Sequence, residues 1–155
     1  MSDTIFYARN GRPYIRLANG QTRFISLKQY GGNDSNFILK FRTPRSLEQL
    51  QNMFNLENIR NCQIENMWDD DELLSHRNID TIYVDSFDES NGNVSIRFRL
   101  IVPIVEDEAY ELVLSFIGCD PGNINRPLFM DNTRIKIYNS RSELVSDLEE
   151  YDYQG

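Results

Sequence analysis

The chain has 155 residues, 40% of them hydrophobic and 26% charged, with a formal net charge of −8. That length and composition describe one domain able to bury a substantial core, and they exclude a globally disordered chain. No apolar run reaches the roughly 20 residues of a bilayer span, and the acidic balance disfavours nonspecific adhesion to nucleic acid or to anionic membranes.

The first 30 residues read as a β-meander. Short β-prone runs at 5–9, 12–18 and 21–27 are separated by Asn10-Gly11 and Asn19-Gly20, and Asn-Gly tolerates the positive φ of a tight hairpin turn. Asn36 to Arg42 is a further strand, ended by Thr43-Pro44. Ser46 and Gln49 then have capping-box spacing, followed by Leu47, Leu50, Met53 and Phe54 on one helical face. Residues 55–67 alternate weakly and suggest strand or irregular chain. Asp69 to Ser75 suggests a short acidic helix. Residues 79–87 and 93–103 form a long hairpin around Asn91-Gly92, with Val94, Ile96, Phe98 and Leu100 on one face and Ser95, Arg97 and Arg99 on the other. Residues 110–117 read as a strand, although their glutamates also permit a helix. Residues 118–127 form a loop, and 133–138 a last strand. Ser140 and Glu143 repeat the capping-box spacing and predict a C-terminal helix through Leu144, Val145 and Leu148, before an acidic, aromatic tail. The expected fold is a single α+β domain. It has a mostly antiparallel sheet of seven or eight strands, curved or barrel-like, and two or three short helices.

Chemical motifs are sparse. There is no Gly-rich phosphate loop and no nucleophile elbow. His76 is the sole histidine. Imidazole metal sites and nucleophile triads need further partners, so its expected place is a helix end, where the dipole favours it. Asp69, Asp70, Asp71 and Glu72 have the composition of a divalent-ion site, but neighbouring carboxylates on one helix do not converge, and a helix start is the better reading. Residues 85–93 resemble a calcium loop in composition only, because Gly92 is one position early and no bidentate Glu follows. Cys62 and Cys119 lie outside any CxxC pair. With no secretory signal at Met1-Ser-Asp-Thr, they are expected to be inert, reduced thiols in a cytoplasmic protein. No catalytic residue, metal ligand or cofactor is therefore assigned.

Charge is the strongest remaining signal. Residues 1–45 carry eight basic and two acidic side chains, a net of +6; the rest carry eight basic and 22 acidic ones, a net of −14. Complementary fields of this kind govern encounter and partner choice. The first expectation is a non-enzymatic interaction protein, in the manner of small acidic inhibitors, immunity proteins or subunits of a viral assembly. It would act in the cytoplasm, the host's if the chain is viral. Asp69, Asp70, Asp71, Glu72, Glu149, Glu150 and Asp152 would meet a basic partner surface or a second copy of the chain. The alternative is a single-stranded nucleic-acid binder using Arg12, Tyr14, Arg16, Arg23 and Phe24, in which aromatic rings stack bases and arginines pair phosphates. A third expectation is a metal-dependent enzyme with carboxylates such as Asp80, Asp85 and Glu111 assembled from separate elements.

Overall fold

The structure is a computed structural model and describes residues 6–7, 13–18, 20–24, 33–63, 72–120 and 126–149. Five antiparallel strands form the main sheet: β4 (Asn33–Arg42), β5 (Ile79–Asp88), β6 (Asn93–Val105), β7 (Arg134–Tyr138) and β8 (Leu144–Glu149). Their spatial order is β5-β6-β4-β7-β8. A second, three-stranded antiparallel sheet holds β1 (Phe6–Tyr7), β2 (Pro13–Arg16) and β3 (Thr22–Phe24). The α+β class and antiparallel pairing agree with the sequence reading. The single sheet of seven or eight strands does not: the main sheet has five strands and stays open, with β5 and β8 as its two edges.

The period of two explains the main sheet. Phe37, Leu39 and Phe41 of β4, Val94, Ile96, Phe98 and Leu100 of β6, and Ile135 and Ile137 of β7 all point inward and are buried. Three helices cover this inner face: α1 (Leu47–Met53), α2 (Leu56–Arg60) and α3 (Ala109–Ile117). They contribute Leu50, Met53, Ile59, Leu112, Val113 and Phe116 to the core. Aromatic rings bridge the layers. Phe37 stacks on Phe98 at 5.6 Å, and Phe98 meets Phe116 edge-on at 5.1 Å, geometries that add to simple area burial. On the opposite face, Lys40, Arg42, Arg97, Arg99 and Arg134 are exposed among the described residues.

Local signals worked where the helix cap or turn was self-contained. At α1 the capping box forms as expected: Ser46 Oγ accepts from Gln49 N–H at 3.2 Å, and Gln49 Oε1 accepts from Ser46 N–H at 3.0 Å. The turn between β5 and β6 is a hairpin, with the Asp88 carboxylate accepting from the Ser90 N–H and the Asn91 side-chain amide and Gly92 at φ +79°.

Three assignments are corrected. Residues 110–117 are helical, because Ala109, Leu112, Val113, Phe116 and Ile117 recur on one helical face and are all buried. Residues 56–60 form α2, started by Asn55, whose Oδ1 accepts from the N–H groups of Glu57 and Asn58. The expected C-terminal helix is strand β8. Its cap was captured elsewhere: Ser140 N–H donates to Asp34 Oδ2 at 2.8 Å, while Asn139 Oδ1 accepts from the N–H groups of Arg141 and Glu143. A turn with Ser142 at φ 62° results, and β8 pairs with β7. Of the short acidic helix, a 3₁₀ turn at Glu72–Leu74 is described, followed by a second at His76–Asn78.

Candidate nucleic-acid interface

The outer face of the main sheet collects cations from three strands. In β4 the residues that alternate with the buried Leu39 and Phe41 are Lys40 and Arg42. In β7 the residues flanking Ile135 and Ile137 are Arg134, Lys136 and Tyr138. Antiparallel pairing sets Lys40 directly opposite Lys136 and Ile38 opposite Tyr138. These side chains line a shallow groove of about 530 Å³, completed by Asn93 and Ser95 of β6 and by Asn132 and Thr133. Among the described residues, no Asp or Glu lines it.

Like charges directly opposite one another across two strands destabilise the pair, and here two lysines meet; on its other side Lys136 faces Asp147 of β8, an acid that Arg134 already engages. Lys40 Nζ lies 5.0 Å from the centre of the Tyr138 ring, a cation–π contact. Arg42 Nε donates to the Asn91 carbonyl at 3.1 Å, a neutral partner. Arg134 differs, since its guanidinium donates to Asp147 at 2.8 Å and to Glu149 at 2.9 Å at the edge of the sheet. The floor is fixed by backbone contacts. Arg42 N–H donates to Thr133 Oγ1, the Arg42 carbonyl accepts from Met130 N–H, and Thr43 N–H donates to the Gly92 carbonyl.

Beyond the groove the same face continues onto β6 and β5. Arg99 pairs with Asp80 at 2.6 Å and Arg97 approaches Asp85 at 3.6 Å. Tyr83, opposite Arg97 in register, is 48% exposed. Asp80 and Asp85 are thus engaged with arginines, and Glu111 accepts from the Tyr110 hydroxyl. Among the described residues these three carboxylates do not gather into an ion site.

The sequence-predicted site residues fare unevenly. Arg12, Asp69, Asp70, Asp71, Glu150 and Asp152 lie outside the described residues. Glu72 opens a 3₁₀ turn. Glu149 is committed to Arg134. In the small sheet Tyr14 stacks on Phe6 at 5.5 Å and packs against the core, and the Arg16 guanidinium lies 5.2 Å from the Phe6 ring. Arg23 and Phe24 are backbone partners of Ile15 and Tyr14 in the same sheet. The basic groove itself was missed as a site. Its signal was present in the alternation of Arg134 and Lys136 with Ile135 and Ile137, but β7 lies about 95 residues from β4 in sequence and nothing local announces their pairing.

The reading of the cysteines as reduced thiols is overturned. Cys62, just past α2, and Cys119, just past α3, form a disulfide with a Cα–Cα distance of 5.7 Å. His76, which follows the 3₁₀ turn Glu72–Leu74, is buried beside them. Its Nε2 lies 3.1 Å from the Cys62 carbonyl and its Nδ1 2.9 Å from Ser115 Oγ. Burial lowers its pKa below the ordinary histidine value, the Cys62 carbonyl works against that shift, and the nearby Arg77 charge adds to it. Packing of α2 and α3 against one sheet face brings these residues together, a long-range event that spacing does not encode.

Comparison with protein-family models, with curated proteins and with solved structures finds no match, so the case for function rests on this geometry.

Proposed function

We propose that the protein is a non-enzymatic binding module that holds single-stranded nucleic acid across the outer face of its open sheet. The observation that carries this reading is the facing pair Lys40 and Lys136, flanked by Arg42, Arg134 and Tyr138 in a groove without carboxylates. An entering phosphate relieves the lysine repulsion, and Tyr138 and Tyr83 offer ring faces for bases. Open sheets with basic and aromatic outer faces are one way that single strands are bound. The interface differs from the one expected on the N-terminal strands. The acid-mediated contact with a basic protein gains no support from Glu149, whose carboxylate serves Arg134.

The test is binding of a labelled oligothymidylate of about ten nucleotides, within the size range single-strand modules cover. About three phosphate contacts give a slope of log K against log salt near −2. The Lys40→Ala/Lys136→Ala variant is expected to lose at least about tenfold in affinity at low salt and to flatten the slope by about one. A wild-type protein that ignores the oligonucleotide at about 50 mM salt overturns the reading. Equal affinity for polyglutamate would redirect it to an acidic protein partner.

A further inference from the structure

We propose that Cys62, Cys119 and His76 form, in the reduced chain, a binding site for a thiophilic divalent cation such as Zn2+. The proposal is independent of the groove. The three side chains come from three separate places: the ends of α2 and α3 and the 3₁₀ turn His76–Asn78. Their two sulfurs and a ring nitrogen of His76 all lie within 4.8 Å of one another. Around a tetrahedral zinc ion with bonds of about 2.0–2.3 Å, neighbouring ligand atoms stand roughly 3.5–3.8 Å apart. Once the S–S bond is open, the sulfurs have only to move apart to that spacing, a local side-chain adjustment.

The donor set is of the right kind. Two thiolates and an imidazole select zinc over the hard cations magnesium and calcium. The surroundings already resemble the outer shell of such a site. Ser115 Oγ lies 2.9 Å from Nδ1 and also accepts the His76 backbone N–H at 3.0 Å. The Cys62 carbonyl holds Nε2. The Cys62 carbonyl can only accept, so Nε2 carries the proton and Nδ1 the lone pair. Nδ1 would turn from the Ser115 hydroxyl to the ion, while Nε2–H keeps its orienting carbonyl, as metal-bound histidines do. His76 is 3% exposed, and both cysteines are partly buried. Asp120, next to Cys119, is not a spare ligand, because both its oxygens accept from Arg45. Three protein ligands leave a fourth position for water.

Opening the site is a two-electron step. A dithiol reductant delivers two electrons and two protons, the Cys62–Cys119 S–S bond breaks, two thiols form, and the reductant closes to its own disulfide. Binding of Zn2+ then displaces the two thiol protons to solvent. The oxidised chain has no thiolate to offer, so metal uptake depends on redox state.

The experiment titrates the full chain with Co2+ and Zn2+ after reduction by a water-soluble phosphine, which leaves as its oxide and adds no competing thiol. The expected result is a thiolate-to-cobalt charge-transfer band with the intense visible bands of a tetrahedral ion, saturating at one ion per chain. Zn2+ should displace the Co2+, raise the melting temperature of the reduced chain and slow alkylation of both cysteines. The oxidised chain should show none of these effects. His76→Gln should weaken uptake by at least about tenfold while the charge-transfer band persists, and Cys119→Ser should abolish the two-sulfur spectrum. Should Cys119→Ser fail to fold, alkylation protection in the wild-type chain decides. The proposal is overturned by a reduced wild-type chain that gives no tetrahedral Co2+ spectrum and no zinc protection, or by equal uptake in the oxidised chain.

Discussion

The Asp34 carboxylate accepts four hydrogen bonds. Oδ1 accepts from the N–H groups of Ser35 and Asn36, and Oδ2 from the N–H and hydroxyl of Ser140. Burial alone would raise its pKa, but these donors outweigh it, the Ser140 hydroxyl first among them, and the value falls below the ordinary 3.8. A carboxylate with a lowered folded pKa stabilises the fold above its unfolded pKa, and that contribution is lost as pH falls through the folded value. Asp34→Asn should therefore cost about 2 kcal/mol at neutral pH, with the gap to wild type closing below pH 3.8. Urea melts of both proteins at neutral and acidic pH check this; a gap independent of pH would remove the carboxylate from the explanation. Arg45 shows a second residue-scale device. Its guanidinium is almost wholly buried and donates to both oxygens of Asp120, at 3.1 and 2.8 Å. Asp120→Ala strands a buried cation and should cost about 3 kcal/mol or more, again readable from urea midpoints. Neither role is legible in sequence, since Asp34 and Asp120 find partners 106 and 75 residues away.

At the scale of elements, the hairpin between β5 and β6 is the part most plainly written in the sequence. Asn91-Gly92 marks the turn, and strict alternation from Val94 to Leu100 sets which face is wet. The glycine has a further duty that the dipeptide does not disclose. A Cβ on Gly92 would lie 2.5 Å from the Thr43 carbonyl oxygen, in addition to requiring φ +79°. Gly92→Ala should cost at least about 2 kcal/mol; a shift in urea midpoint worth under about 0.5 kcal/mol, the range of an ordinary surface substitution, would show that β4 and the turn move apart freely. The elements misread were those whose local signals had two outcomes. The Ser140/Glu143 spacing equals that of the working cap at Ser46/Gln49, yet Asp34 recruits Ser140 and Asn139 recruits the Glu143 N–H. Strand β8 then gains its ladder to β7 and the pairing of Asp147 and Glu149 with Arg134. For α3 the helical period was legible from Ala109, Leu112, Val113, Phe116 and Ile117, and the aromatic and β-branched content drew the reading towards strand.

For the molecule as a whole, the Cys62–Cys119 disulfide closes a loop of 57 residues between α2 and α3. Chain-entropy arguments give such a cross-link about 4 kcal/mol through its constraint on the unfolded state. Reduction in the presence of a chelator should lower the urea midpoint accordingly, and an unchanged midpoint would mean that packing alone holds the two helices in place. The sequence pattern foretold the α+β class and the antiparallel pairing, but not how the charges are dealt between faces. Some basic residues of the N-terminal third are spent within the fold or on its own rings, as Arg45 and Arg16 show, while β7 supplies half of the cations lining the groove. A positive groove on a chain of net charge −8 has one more consequence. Beyond the Debye length, about 10 Å at 0.1 M salt, the charges are screened; on the proposed reading, a polyanion approaching in dilute salt would first meet the repulsion of the whole molecule and be drawn in only from the directions that lead to Lys40 and Lys136. The field acts as an angular filter on encounters, so adding a little salt should speed association even as it shortens the life of the complex.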